Sequence, residues 1–341
     1  MDAKRFISIT IFSLLLSNNP ISAQTTDSLP TQKTKSPQYL RLNIENDMLI
    51  SRNKTDRYFS SGVKLDYFFL KNPNRAIGIQ KIFPRMRSGE LYMGVSFMSN
   101  MYTPANLGEK MVAGDRPYAG WVCLGITGIA NDPVKAVRMT TEYSLGAIGP
   151  ITQQGKLQTS FHKLISRPEP KGWDNQIAND IAANANIVIE KRMMNPTENV
   201  DVIGFFETNA GTVNNYMGIG GMVKLGWFDD YFKNIMPVKG RDNWQLYVFT
   251  RPVVRIVADN SLLEGGLTSY SRSPYVIARD DINHFYVEAQ FGYGLTYRNF
   301  NLTYSQSVRT PEFKDAKTMF WGGISMSVSL WKLFDNQCFT H

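Results

Sequence analysis

Three polar stretches hold the residue types that hydrolytic chemistry uses. His162, one of three histidines, sits in LQTSFHKLI, where an imidazole can act as a general base near neutral pH. Asp47, in ENDM (45–48), is a hard carboxylate beside Glu45, Asn46 and backbone carbonyls. Calcium takes six to eight oxygens of that kind. Asn and Asp also open loops, so a plain turn is the alternative reading. Ser60, in TDRYFSSG, is a nucleophile or a polar substrate contact. No G-x-S-x-G elbow occurs, which argues against the usual serine hydrolase. Arg57, Lys64 and Arg116 are cations able to bind phosphate, although each is also an ordinary rim or interior charge. His284 is a competing base. Cys123 and Cys338 form neither a metal pattern nor a disulfide framework.

The elements that must position these groups are strands. In YLRLNIEND, Leu40, Leu42 and Ile44 alternate with Arg41, Asn43 and Glu45. The same period of two runs through SGVKLDYFFL, VRMTTEYSL and FWGGISMSVSLW. Strands are expected at 38–48, 60–71, 90–100, 118–130, 135–149, 183–195, 199–211, 216–228, 244–257, 282–294, 298–308 and 317–331. Alternation also suits a soluble sandwich. Strand lengths of about 10–14 residues and an even strand number favour an all-β, 12-stranded antiparallel transmembrane barrel. Tyr118, Trp121, Trp227, Phe228, Trp331 and Phe334 lie at segment ends, as interface aromatics would. The stretch 158–177 breaks the alternation and is expected as a helical insert in an outer loop.

Aromatic residues at 12% and charged residues at 19% exclude a disordered chain. Residues 1–23 carry Lys4 and Arg5, an apolar run from Phe6 to Leu16, and Ser22-Ala23 before Gln24, the pattern of a secretory signal. A polar leader is expected at 24–37, the barrel at 38–334 and a tail at 335–341. The net charge of +8 reads as solvated surface or as attraction to an anionic partner such as a phosphorylated glycolipid. Nucleic acid is not expected, and the chain is expected to be a monomer.

With odd strands running outward, ENDM, TDRYFSSG, GDRPYAGW and GPITQQGKLQTSFHKLI all fall at one end of adjacent strands. In that order the four motifs resemble the outer-membrane lipid A 3′-O-deacylases, the LpxR family, most strongly over residues 38–180. The resemblance implies a 12-stranded barrel in the bacterial outer membrane, with its site between the wall and a loop helix. It implies a substrate, lipid A of lipopolysaccharide, drawn from the surrounding membrane lipids, and loss of the 3′-acyloxyacyl chain. It also implies a Ca2+ ion that stabilises the oxyanion and a histidine that activates water.

Carried over by motif, Asn46 and Asp47 match the family's Asn-Asp pair, with Asp47 the metal ligand. Ser60 matches a Thr or Ser at the start of the second strand, and His162 the water-activating histidine. One departure stands out. Pro168 occupies the position, six residues after the histidine, where the pattern has an acid, so either Glu169 replaces it after a small loop shift or the role is absent. The competing functions are a passive channel, an outer-membrane phospholipase and a soluble exported glycan-binding protein.

Overall fold

The computed structural model describes residues 37–50, 57–70, 78–86, 89–108, 111–236 and 244–330. The signal segment, nearly all of the leader, the tail, Trp331, Phe334 and Cys338 lie outside them. Twelve antiparallel strands close into one barrel in which each strand pairs with its sequence neighbour and β1 pairs with β12. They are β1 (Gln38–Asn46), β2 (Tyr58–Leu70), β3 (Glu90–Thr103), β4 (Ala119–Asp132), β5 (Val137–Ile148) and β6 (Asp180–Thr197). The second half comprises β7 (Val200–Gly211), β8 (Asn214–Trp227), β9 (Trp244–Asn260), β10 (Phe285–Tyr297), β11 (Phe300–Arg309) and β12 (Met319–Ser329). Each expected strand corresponds to one observed strand, with ends shifted by a few residues. Closure removes both sheet edges, so every strand backbone is paired inside a hydrocarbon layer.

The alternation sorts side chains as a membrane barrel requires. Leu124, Leu145, Ile219, Leu246 and Phe291 are exposed on the outside, the face such barrels turn to lipid. Arg41, Arg138, Glu142, Ser325 and Ser327 line an internal cavity. No helix of the described residues is long and apolar enough to cross a membrane. Trp227 is exposed at the end of β8, and Trp244 stacks on Tyr297 at 4.3 Å. Three expected interface aromatics face elsewhere, Phe228 among them, its ring packed against the buried Lys224 and Tyr247. Trp121 lines the lumen cavity, and Tyr118 is buried against Trp173. Their sequence neighbours sit at a strand end, but pleat and loop packing decide which way a ring points.

Charge crosses the lumen. Glu207 pairs with Arg255, Arg255 with Glu288 at 2.8 Å, and Arg309 with both Glu288 and Glu312. Glu312 then meets Arg116 of the β3–β4 connection, whose guanidinium lies 4.4 Å from the Tyr102 ring. The six groups span from β7 to the β3–β4 connection, and all but Glu207 line a cavity of about 270 Å³. Nearer the other end, the β8–β9 connection turns inward. Arg138 donates to the carbonyls of Tyr231 and Asn234, Asn131 donates to that of Phe232, and Phe232 is fully buried.

The two rims differ. One carries the connections 47–57, 104–118, 149–179, 261–284 and 310–318, here called the loop rim. It includes helix α1 (Gln154–Leu164) and the single turn α2 (Ser261–Glu264). The expected helical insert is thus present as α1.

Candidate active site on the barrel wall

Helix α1 lies against the outside of the wall, not over the lumen. The outward column of β3 shows where. Val95 and Phe97 are exposed. Further along the same face, Ser99 accepts a hydrogen bond from Gln154 at 2.9 Å, Met101 packs with Tyr118 and Trp173, and Thr103 is fully buried. A column that starts as lipid-facing wall ends as the floor of a protein-covered site. Beside it on β4, a Cβ at Gly120 would strike Thr152 and Gln154. Only glycine lets the start of α1 approach this closely.

The helix presents a polar stripe to the wall. Gln154, Gln158 and His162 are spaced four apart, share one face, and are all buried. Trp173 braces them. Its indole N–H donates to Gln158 Oε1 at 2.7 Å, and its ring stacks against Tyr118 at 5.0 Å. Gly155 gives that ring its place, since a Cβ there would lie 2.8 Å from Trp173 Cγ.

His162 Nδ1 lies 2.6 Å from the carbonyl oxygen of Pro168. A carbonyl can only accept, so Nδ1 is the donor in this bond. In the neutral ring, Nε2 then carries the lone pair. Pro168 thus orients the imidazole through its backbone, six residues on, where an acid was expected to act. The expected role of Glu169 is corrected accordingly. Its carboxylate pairs with Lys163 at 3.5 Å, with both side chains largely exposed. The chain leaves the helix through Ser166, at φ 55°, with the residue 168 carbonyl at His162 and the residue 169 side chain largely exposed.

Asn46 and Asp47 end β1 at the loop rim. Asn46 Oδ1 accepts the N–H of Met48 at 2.7 Å and caps a short 3-10 turn, Asp47–Leu49. Asp47 is fully buried, and its Oδ2 accepts the N–H of Arg57 at 2.7 Å. Ser60 follows on β2, at a bulge where the register with β3 shifts. Its hydroxyl bonds that of Thr103, on the floor beneath the insert. Tyr58, just before, holds a left-handed backbone with φ 69°. Such a conformation costs a bulky residue roughly 1–3 kcal/mol. Packing on Phe313 and the N–H of Lys317 bonded to the Tyr58 hydroxyl hold it there.

The three proposed phosphate binders divide. Arg57 sits at the rim, donating to the carbonyl of Thr318 at 3.1 Å. Lys64 lies inside the barrel against Glu142 and Asp66. Arg116 is 1% exposed and paired to Glu312. Lys64 and Arg116 are therefore lumen charges, away from the outer face where α1 lies. His284 bonds the carbonyl of Val257 on the β9–β10 side, about half the circumference from α1. Cys123 is free and buried.

Asp47 brings a carboxylate to the end of β1, beside the amide of Asn46. Among the described residues no group of three or more His, Cys, Asp or Glu side chains is arranged for a metal. Calcium accepts carbonyl and water oxygens. Asp47 offers such an ion a carboxylate, and Asn46 and backbone carbonyls lie beside it in the chain.

A family model described as outer membrane protein LpxR matches residues 9–330. Among solved structures, LpxR from Salmonella typhimurium superposes with a TM-score of 0.67 at 18% identity, covering 85% of this chain and 99% of that one. The β domain of the Bordetella autotransporter BrkA follows at 0.45 and 9% identity, covering 86% and 99%. No curated protein matches.

Proposed function

The chain belongs to the LpxR family of outer-membrane proteins, and from that premise we propose that it is a lipid A 3′-O-deacylase. The observation that carries the reading is the seat of His162. A buried imidazole, with its tautomer set by the Pro168 carbonyl, lies on a helix clamped to the outer wall. A substrate held in the membrane reaches that face sideways, without entering the barrel.

In the reaction, His162 Nε2 takes a proton from water as the water oxygen bonds to the ester carbonyl carbon. The tetrahedral intermediate then breaks its bond to the sugar oxygen. The imidazolium returns the proton to that oxygen, so the products are a free acyloxyacyl acid and a sugar hydroxyl. A water nucleophile removes the need for an activated serine, and Ser60 serves as a polar contact. Asp47 would hold Ca2+ with backbone and water oxygens, and the ion when bound would stabilise the developing oxyanion. Asn46 Nδ2 is a donor that can add to the same charge. Arg57 remains the rim cation suited to a substrate phosphate.

A passive channel is less well supported, because ion pairs and an inturned connection occupy the lumen. The test is mass spectrometry of purified lipid A incubated with detergent-solubilised protein, with calcium or with chelator. Loss of the 3′-acyloxyacyl mass is expected with calcium. It is expected to fall at least a hundredfold in His162→Ala, in line with the 10²–10⁴-fold that a general base contributes. Unchanged lipid A from folded protein would reject the deacylase. Release of fatty acid from phospholipid instead would make it a phospholipase.

A further inference from the structure

Helix α1 turns its polar residues inward and leaves an apolar flank outside. Leu157 and Leu164 are 58% and 80% exposed, and Phe161 is exposed beside them. At about 100° per residue, these three fall within about 60° of one another. They sit roughly 90° round from the Gln154–Gln158–His162 stripe. Lys156 and Lys163 project on a third side, away from the wall. Lys163 is partly offset by Glu169. Lys156, Arg167 and Lys171 are exposed. The helix therefore has three faces: one polar against protein, one apolar and one basic.

We propose that this flank is an interfacial membrane contact. Leu157, Phe161 and Leu164 lie among the acyl chains of the leaflet at the loop rim, and the basic side meets anionic lipid phosphates. Two observations identify lipid as the occupant. The first is that the start of the helix rests on strands β3 and β4, and the outer belt of the wall, with Leu124, Leu145 and Ile181 exposed, begins beside it. Gly120 under the helix and Leu124 in the belt share the outer face of β4, four residues apart, or about 13 Å. The second observation is charge. A helix with an apolar flank and a basic side matches a surface of acyl chains and phosphates. The inference needs only that the barrel sits in a membrane, not that it hydrolyses anything.

The test uses full-length protein carrying Cys123→Ser and Cys338→Ser. Single cysteines replace Leu157, Leu164, Lys156 or Ser160, each carrying a nitroxide label. Folded protein, checked by heat-modifiable gel migration, is reconstituted into phosphatidylcholine–phosphatidylglycerol vesicles. Collision with oxygen, which partitions into acyl chains, is compared with collision with a water-soluble nickel chelate. The expected result is an oxygen-to-nickel ratio several-fold higher at 157 and 164 than at 156 and 160. Equal ratios at all four sites would overturn the proposal. So would flank labels shielded from both reagents with spin–spin broadening, which would show a second copy of the chain covering the flank. Replacing phosphatidylglycerol with phosphatidylcholine alone should lower the ratio at 164. If inorganic phosphate restored it, the basic side would be reading free phosphate and the headgroup contact would fail.

Discussion

Proline at position 168 takes an acidic side chain away from the imidazole and sets a carbonyl there. The orienting group is now backbone, which no side-chain substitution removes. Glu169, by contrast, holds a surface pair worth about 0–1 kcal/mol. Glu169→Gln is therefore expected to leave lipid A deacylation within about twofold of wild type by mass spectrometry; a large loss would give Glu169 a role that its position denies it. At Asp47 the charge count decides. One carboxylate among neutral oxygens predicts weak calcium binding, of order 10⁻⁴–10⁻³ M. Asp47→Asn should abolish the binding heat in calorimetry. His162, Asn46 and Asp47 could be picked out from residue type and motif. The partners of Lys64 and Arg116 could not. Their cations look alike in sequence, and only the pleat and a contact across the barrel, from residue 116 to residue 312, reveal that both are lumen charges.

At the scale of elements, α1 depends on a glycine in its first turn. Gly155→Ala would gain about 1 kcal/mol of helix propensity. It would also force Trp173 aside, and overpacking of that kind costs about 1–3 kcal/mol. The clash outweighs the gain. The expected outcome is lower deacylation with little change in barrel melting, because α1 sits outside the sheet. A two-temperature kinetic assay beside a heat-shift gel separates the two effects. The strands were legible because lipid outside and charge inside impose a period of two. The helix was legible where that period broke. The bulge at Ser60 was not, since one extra residue leaves no mark in composition while it redirects the strand end. Nor was the brace from Trp173 to Gln158, made through a loop.

Across the whole molecule, the lumen network ties strands on opposite walls. Burial alone would raise the Glu312 carboxyl, but the guanidinium groups of Arg116 and Arg309 outweigh it and hold it below the usual carboxylate range. A carboxyl depressed in the folded state stabilises the fold above its unfolded value of about 4.3. That contribution is lost as pH falls through the lower folded value. Glu312→Gln takes the paired carboxylate from the buried Arg116, while Arg309 keeps Glu288, and should cost about 3–5 kcal/mol at neutral pH. The deficit should shrink on acidification below about pH 4, read as gel-shift midpoints in detergent across a pH series.

The seam between β1 and β12 has a consequence for timing. Asp47 directly follows β1. Nearby, the Leu49 carbonyl accepts the Tyr304 hydroxyl at 2.8 Å, Arg57 reaches Thr318, and Tyr58 meets Lys317. Each of these clasps joins the start of the chain to its last strands. While the protein is being delivered and its sheet is still open, the turn that carries Asp47 has no such support. The turn around Asp47 is then expected to take its final shape only when β1 and β12 pair. Any activity that needs this turn is expected to appear only once the barrel has closed.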